Sequence, residues 1–317
     1  MAQQFSSLSD SDLANIQYGS DLSFWQTYSL DHPTDRLTYG FRKWFVRSDF
    51  RFRIVRWLSW ILRRAWITLP ELEAKHRRSL ELLESTDSAY SVDSKFGDDP
   101  YTGELQSWMG YRRGALSGSF GGESPALYEH TIAKASTLIL ENHLTTFFNL
   151  GVCFPYVDSQ LAKKFQNTKF IGIERTEILP ILNNHFFADQ KNMASICGDL
   201  FDYLKSNSFS NSVFFHSRTM TLLSKSFVDR TYKSAAQAGF SFIFGNEQIG
   251  VSRESGLPYK FSLSDKPSEI YRKGMFMHNY PAILKQAGYE TIYVEAIKTG
   301  HPDPDYRILS FIGRLKN

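Results

Sequence analysis

Three turns in the second half of the chain combine residue types that could hold a small organic ligand. The first is Asn149-Leu150-Gly151-Val152-Cys153-Phe154-Pro155. Gly151 would let the backbone approach a ligand closely. Pro155 suits the first turn of a helix, whose free N–H groups attract an anionic group. A plain tight turn is the other reading. The second turn holds Glu174, in the run IGIERT. Its carboxylate could accept both hydroxyls of a ribose, or could simply sit near the positive end of a helix. The third holds Gly198-Asp199, where Asp199 could cap the next helix or lie beside an adenine amino group. Each is ordinary alone. Together, at 151, 174 and 199, they fall one strand-plus-helix unit apart.

Further along, His216-Ser217-Arg218 and Asn246-Glu247 each close an apolar run. His216 could act as a base or orient one, and Arg218 and Glu247 could contact a substrate. The insertion that follows, 248–275, carries Arg253, Tyr259, Tyr271 and Arg272, a composition suited to a lid over a polar or anionic substrate. His278, in FMHNYP, is the preferred candidate for a general base, with capping or packing as the alternative. No H-x-x-x-H pair or repeated carboxylate marks a metal site.

These residues need elements to position them. Apolar runs at Thr146–Leu150, Lys169–Ile173, Met193–Cys197, Val213–His216 and Phe240–Gly245 read as strands. Amphipathic stretches at 155–166, 177–190, 200–205 and 225–238 read as helices between them. The alternation predicts a parallel sheet with helices on both faces, and the strands are apolar throughout, as double coverage requires. A helix is expected over 277–286. Thr291–Ile297 and Arg307–Ile312 then follow with only a short turn between, so they must pair as an antiparallel hairpin. In an open sheet of this kind, ligands bind beyond the carboxyl ends of the strands, where strand order reverses.

With this ending, the three turns resemble those of the class I S-adenosylmethionine-dependent methyltransferases, over roughly 127–317. The stretches FNLGVCFPYVDSQLAKKF, YRKGMFMHNYP and KTGHPDPDYR also resemble a group of uncharacterised sugar O-methyltransferases. The resemblance implies a doubly wound α/β fold: a mostly parallel seven-stranded sheet with a terminal antiparallel hairpin. It implies S-adenosylmethionine as cofactor, with Gly151 facing its methionine part, Glu174 its ribose and Asp199 its adenine. Asn149, Gly198 and His216 complete the expected cofactor set. The family usually shows E/D-x-G-x-G-x-G in the first turn, whereas here Asn149 replaces the acid and Gly151 stands alone. The implied activity is methyl transfer to a small-molecule or glycan-like acceptor, most simply at oxygen. A hydroxyl is a poor nucleophile and needs a positioned base, hence the interest in His278 and His216. Two rivals remain. One is a non-catalytic binding protein that keeps the fold and associates with a membrane or a partner protein. The other is a nucleotide-dependent oxidoreductase, against which the absent G-x-G-x-x-G and the hairpin ending speak.

Composition sets the remaining bounds. The chain has 317 residues, 42% apolar and 22% charged, which excludes wholesale disorder. A net charge of +3 gives no global field for nucleic acid. Two cysteines exclude a disulfide scaffold and a cysteine zinc cluster. Neither a signal peptide nor a membrane-spanning run is evident, so a cytoplasmic protein is expected. All six tryptophans lie in the first 108 residues. That asymmetry suggests an N-terminal helical, Trp/Arg-rich region, 1–103, ahead of a methyltransferase-like domain, 104–317. Residues 42–66 hold eight basic residues and one acid. On a helix, Arg53, Arg56, Arg63 and Arg64 share one arc, opposite Leu58, Ile61, Leu62 and Trp66. Docking on the chain's own domain, lying on an anionic membrane surface as a peripheral helix, and binding RNA are the three readings, the last ranking below the membrane.

Overall fold

The structure, a computed structural model, describes residues 125–175, 178–250, 269–272, 275–298 and 307–316. The basic segment 42–66, Arg253, Tyr259 and most of the expected lid lie outside these residues.

The described chain runs α1 (Pro125–Asn142), β1 (Thr146–Leu150), α2 (Tyr156–Lys164), β2 (Lys169–Glu174), α3 (Ile178–Phe186) and β3 (Met193–Cys197). It continues with α4 (Leu200–Ser206), β4 (Ser212–Ser217), a 3-10 turn (Met220–Leu222), α5 (Lys225–Gln237) and β5 (Phe242–Ile249). It ends with β6 (Glu269–Arg272), β7 (Met275–Met277), α6 (Tyr280–Gln286), β8 (Tyr289–Lys298) and β9 (Arg307–Leu315). Seven strands form one sheet in the order β3-β2-β1-β4-β5-β9-β8. The pairs among β1 to β5 are parallel, and β9 pairs antiparallel with both β5 and β8. This is the doubly wound sheet with a terminal antiparallel hairpin that the sequence implies. Strand order reverses between β1 and β4.

Alternate strand residues face two separate cores, which explains the unbroken apolar runs. Phe147, Phe170, Phe215 and Phe244 pack with Val157 and Leu161 of α2 and Leu138 of α1. Phe148, Phe214, Ile243 and Phe311 pack with Val228 and Tyr232 of α5 and Tyr280 of α6. The outer edge of β3 is covered locally. The Asn184 side chain donates to Ser195 O and accepts from Ser195 N, both at 2.8 Å, in place of a further strand.

Several boundaries differ from expectation, two of them near the carboxyl edge. The fifth strand begins later and runs to Ile249, because β9 pairs with it along its whole length, as far as Ile249 against Arg307. The segment 248–275 is therefore not all irregular. It contributes the end of β5 and β6, which pairs with β7 in a two-stranded ribbon; β7 runs on to Met277, so the final helix starts only at Tyr280.

Gly245 shows how tightly this sheet is packed. A Cβ there would lie 2.2 Å from Phe311 Cζ and 2.6 Å from His216 Cε1, both in fully buried rings. Gly245→Ala is expected to lower unfolding free energy by about 1–3 kcal/mol, the usual cost of overpacking. Urea denaturation measures this, and an unchanged midpoint would contradict the packing described.

Candidate functional site

The three turns singled out in the sequence meet at the carboxyl edge of the sheet. Gly151 N–H donates to Ile173 O at 3.1 Å, and Gly198 N–H donates to Glu174 O at 2.9 Å. Gly151, Glu174 and Gly198 therefore stand side by side beyond three adjacent parallel strands. Glu174 is half-buried, whereas Gly198 and Asp199 are exposed. Around the place where a Cβ of Gly198 would sit there is no other heavy atom within 4 Å, so the surface beside Glu174 is open. Asp199 caps α4: its Oδ1 accepts from Phe201 N at 2.8 Å and Asp202 N at 3.1 Å.

The first turn is held from several sides. Gly151 has φ +72°, which disfavours any residue with a side chain. Its missing Cβ also clears room for Thr219, whose Oγ1 would lie 2.5 Å away and instead donates to Leu150 O at 3.1 Å. Asn183 of α3 donates from Nδ2 to Val152 O at 3.1 Å and Cys153 O at 3.3 Å. Asn149, 5% exposed, points to the α1/α2 side and donates from Nδ2 to Asp158 Oδ2 at 2.7 Å. Asp158 lies in the first turn of α2 and is 2% exposed. Burial pushes its carboxyl up to about 6, against the opposing hydrogen bond from Asn149.

A buried polar network fixes the turn after β4. Glu247 is fully enclosed. Its Oε1 accepts from Thr219 N at 3.2 Å and Met220 N at 3.1 Å, and its Oε2 from Thr221 N at 3.1 Å. His216 Nδ1 lies 2.6 Å from Oε1, and His216 Nε2 lies 2.8 Å from Tyr232 Oη. The consistent proton placement has Nδ1–H donating to Glu247 and Tyr232 donating to Nε2. Arg218 enters this turn with φ +56°, and its N–H donates to Asn246 O at 2.8 Å. His278 closes the network from below. It is fully buried, and its Nε2 lies 3.1 Å from Met220 O and 3.0 Å from Leu223 O. Burial is the main cause that pushes this imidazole down to about 4.

The structure thus gathers Asn149, Gly151, Glu174, Gly198 and Asp199 at the three turns. It places His216, Glu247 and His278 together in the interior behind the β4 turn, where they bond protein groups. Tyr271 and Arg272 fall on β6. The sequence reading missed Thr219, Asn183 and Asp158. Asp158 alone had a local signal, an acid in the first turn after the glycine loop. Among the described residues no group of histidines, cysteines and acids is arranged to hold a metal ion, and no helix is long and apolar enough to cross a membrane. A cavity of about 300 Å³ lies off the edge, between α3 and β3, lined by Asn183, Asn184, Phe187 and Gln190 among others.

No protein-family model matches the chain, and no curated relative does. Solved structures of similar fold are found. The N-terminal domain of EvdMO1, with SAH bound, matches at TM-score 0.44 and 14% identity, over 59% of this chain and 81% of that one. A TehB-like SAM-dependent methyltransferase from Corynebacterium glutamicum matches at TM-score 0.43 and 13% identity, over 68% and 99%. Magnesium protoporphyrin IX methyltransferase (ChlM) from Synechocystis PCC 6803, with bound SAH, matches at TM-score 0.42 and 8% identity, over 59% and 83%.

The buried carboxyl and imidazole act on stability with opposite signs. Asp158, raised from 3.8 to about 6, makes the folded state the better proton binder, so its contribution falls as pH rises through that window. His278, lowered from 6.5 to about 4, does the reverse: its contribution is lost as pH falls through that range. Between pH 4 and pH 7, the wild-type chain should lose about 2 kcal/mol of stability relative to Asp158→Asn. Urea denaturation across this range tests it, and a constant difference would contradict a buried ionisable carboxyl.

Proposed function

We propose that the chain is an S-adenosylmethionine-dependent methyltransferase acting on a small-molecule or glycan-like acceptor, with oxygen as the atom methylated. The observation that carries this reading is the meeting of Gly151, Glu174 and Gly198 at the carboxyl edge, next to the point where strand order reverses. The residues fit an adenosyl ligand. Glu174 offers a carboxylate to the ribose hydroxyls. Gly198 leaves open surface for a flat base, with Asp199 holding the backbone by its cap. The pinned first turn and the enclosed Asn149–Asp158 pair offer acceptors to a charged amino-acid end.

When bound, S-adenosylmethionine supplies a methyl group made electrophilic by its sulfonium. What remains for the protein is to hold reacting atoms about 3–3.5 Å apart and in line, and to exclude water. Glu247 and His216 serve this by fixing the β4 turn, and Thr219 passes that fixed position to Gly151. His278, just after β7, fixes the same turn.

A second reading is a non-catalytic binding protein of the same fold. Its support is that both imidazoles considered for acceptor activation, His216 and His278, are enclosed by protein partners. Both readings predict adenosyl binding. Glu174→Ala should weaken S-adenosylhomocysteine binding at least tenfold in calorimetry. Unchanged affinity would remove Glu174 from the site, and absence of binding by the wild-type chain would remove both readings.

A further inference from the structure

Burying a carboxyl is costly unless a charge or several donors compensate it. Asp158 is compensated poorly. It is 2% exposed, yet its partners among the described residues are Asn149 Nδ2 and its own backbone N–H. No Lys, Arg or His pairs with it among those residues. A carboxylate has about four acceptor sites, so acceptor capacity remains. The N-terminal turn of α2 offers some support to a negative charge there, but burial prevails, since the carboxyl is pushed up rather than down. Asparagine would keep the hydrogen bond from Asn149 without the cost of a buried charge. The aspartate therefore gives up stability in the ligand-free chain.

Its place supplies a reason. Asn149 is the last residue but one of the strand that leads into Gly151, and Asp158 lies in the first turn of the helix that leaves the same turn. Asn149 gives an amide N–H to Asp158, which leaves its amide oxygen as an acceptor. A carboxylate with acceptor sites to spare and an amide oxygen thus stand at the two ends of the segment that makes the first turn. That pair suits a compact cation that only donates hydrogen bonds, and repels a carboxylate.

We propose that Asp158, positioned by Asn149, is the counter-ion of a primary ammonium group at the amino-acid end of an adenosyl ligand. This rests on the adenosyl reading given above. It assigns the acid missing from position 149 to the first turn of the next helix.

Calorimetry on the full chain with two probes tests it: S-adenosylhomocysteine, and its deamino analogue, which keeps the adenosine, thioether and carboxylate. The wild-type chain should bind S-adenosylhomocysteine at least tenfold more tightly. Asp158→Asn should abolish that preference by weakening S-adenosylhomocysteine alone, leaving the analogue's affinity unchanged. An equal loss for both probes, or no loss for either, would overturn the assignment while leaving the adenosyl reading intact. If neither probe binds the wild-type chain, the adenosyl reading fails and this assignment with it. Should Asp158→Asn not fold, the wild-type preference decides: less than threefold overturns the proposal.

Discussion

The Glu247 carboxylate is the fixed point on which the carboxyl edge depends. It accepts three consecutive backbone N–H groups, from Thr219 to Thr221, and faces His216. Hydrogen bonds to a charged group contribute about 1.5–3 kcal/mol each. The turn cannot drift while this group is in place. Three other connections spread outward from it. Thr219 reaches β1 at Leu150, Thr221 Oγ1 donates to Phe276 O at 2.9 Å, and His278 holds Met220 and Leu223. One acid on β5 thereby sets the spacing between the first turn, the β4 turn and the ribbon.

This arrangement divides the edge into two halves. On the side of β1, β2 and β3, exposed or half-exposed groups stand beside open surface. On the side of β4 and β5, His216, Glu247 and Tyr232 turn inward and bond one another. Rigidity on the second side suits positioning on the first, since a misplacement of about 1 Å can cost 10²-fold in a reaction that depends on alignment. The first turn achieves its rigidity without a run of glycines. Its single glycine is matched to Thr219, and its carbonyls are tied down by Asn183.

The strands were legible because a sheet covered on both faces leaves continuous apolar runs, such as TFFNL and VFFH. The terminal hairpin was legible because the connection between its strands is too short for a crossover. The end of β5 was not legible: Gly245 looks like a terminator, and only its pairing with β9 shows that it clears room for Phe311. The three turns could be found because a glycine, an acid and a Gly-Asp pair follow successive apolar runs at unit spacing. Residue type could not reveal burial, so His216, Glu247 and His278 looked like chemistry at the surface, whereas the fold encloses them. Thr219 and Asn183 gave no signal, because their partners lie far away in the chain.

The central claim is that an adenosyl ligand settles across the three turns at once. Hydrogen–deuterium exchange on the full chain, with and without S-adenosylhomocysteine, tests it most directly. The account predicts that exchange slows together at 151–155, 174–175 and 197–199. Unchanged exchange at all three, or slowing confined to the cavity between α3 and β3, would contradict it.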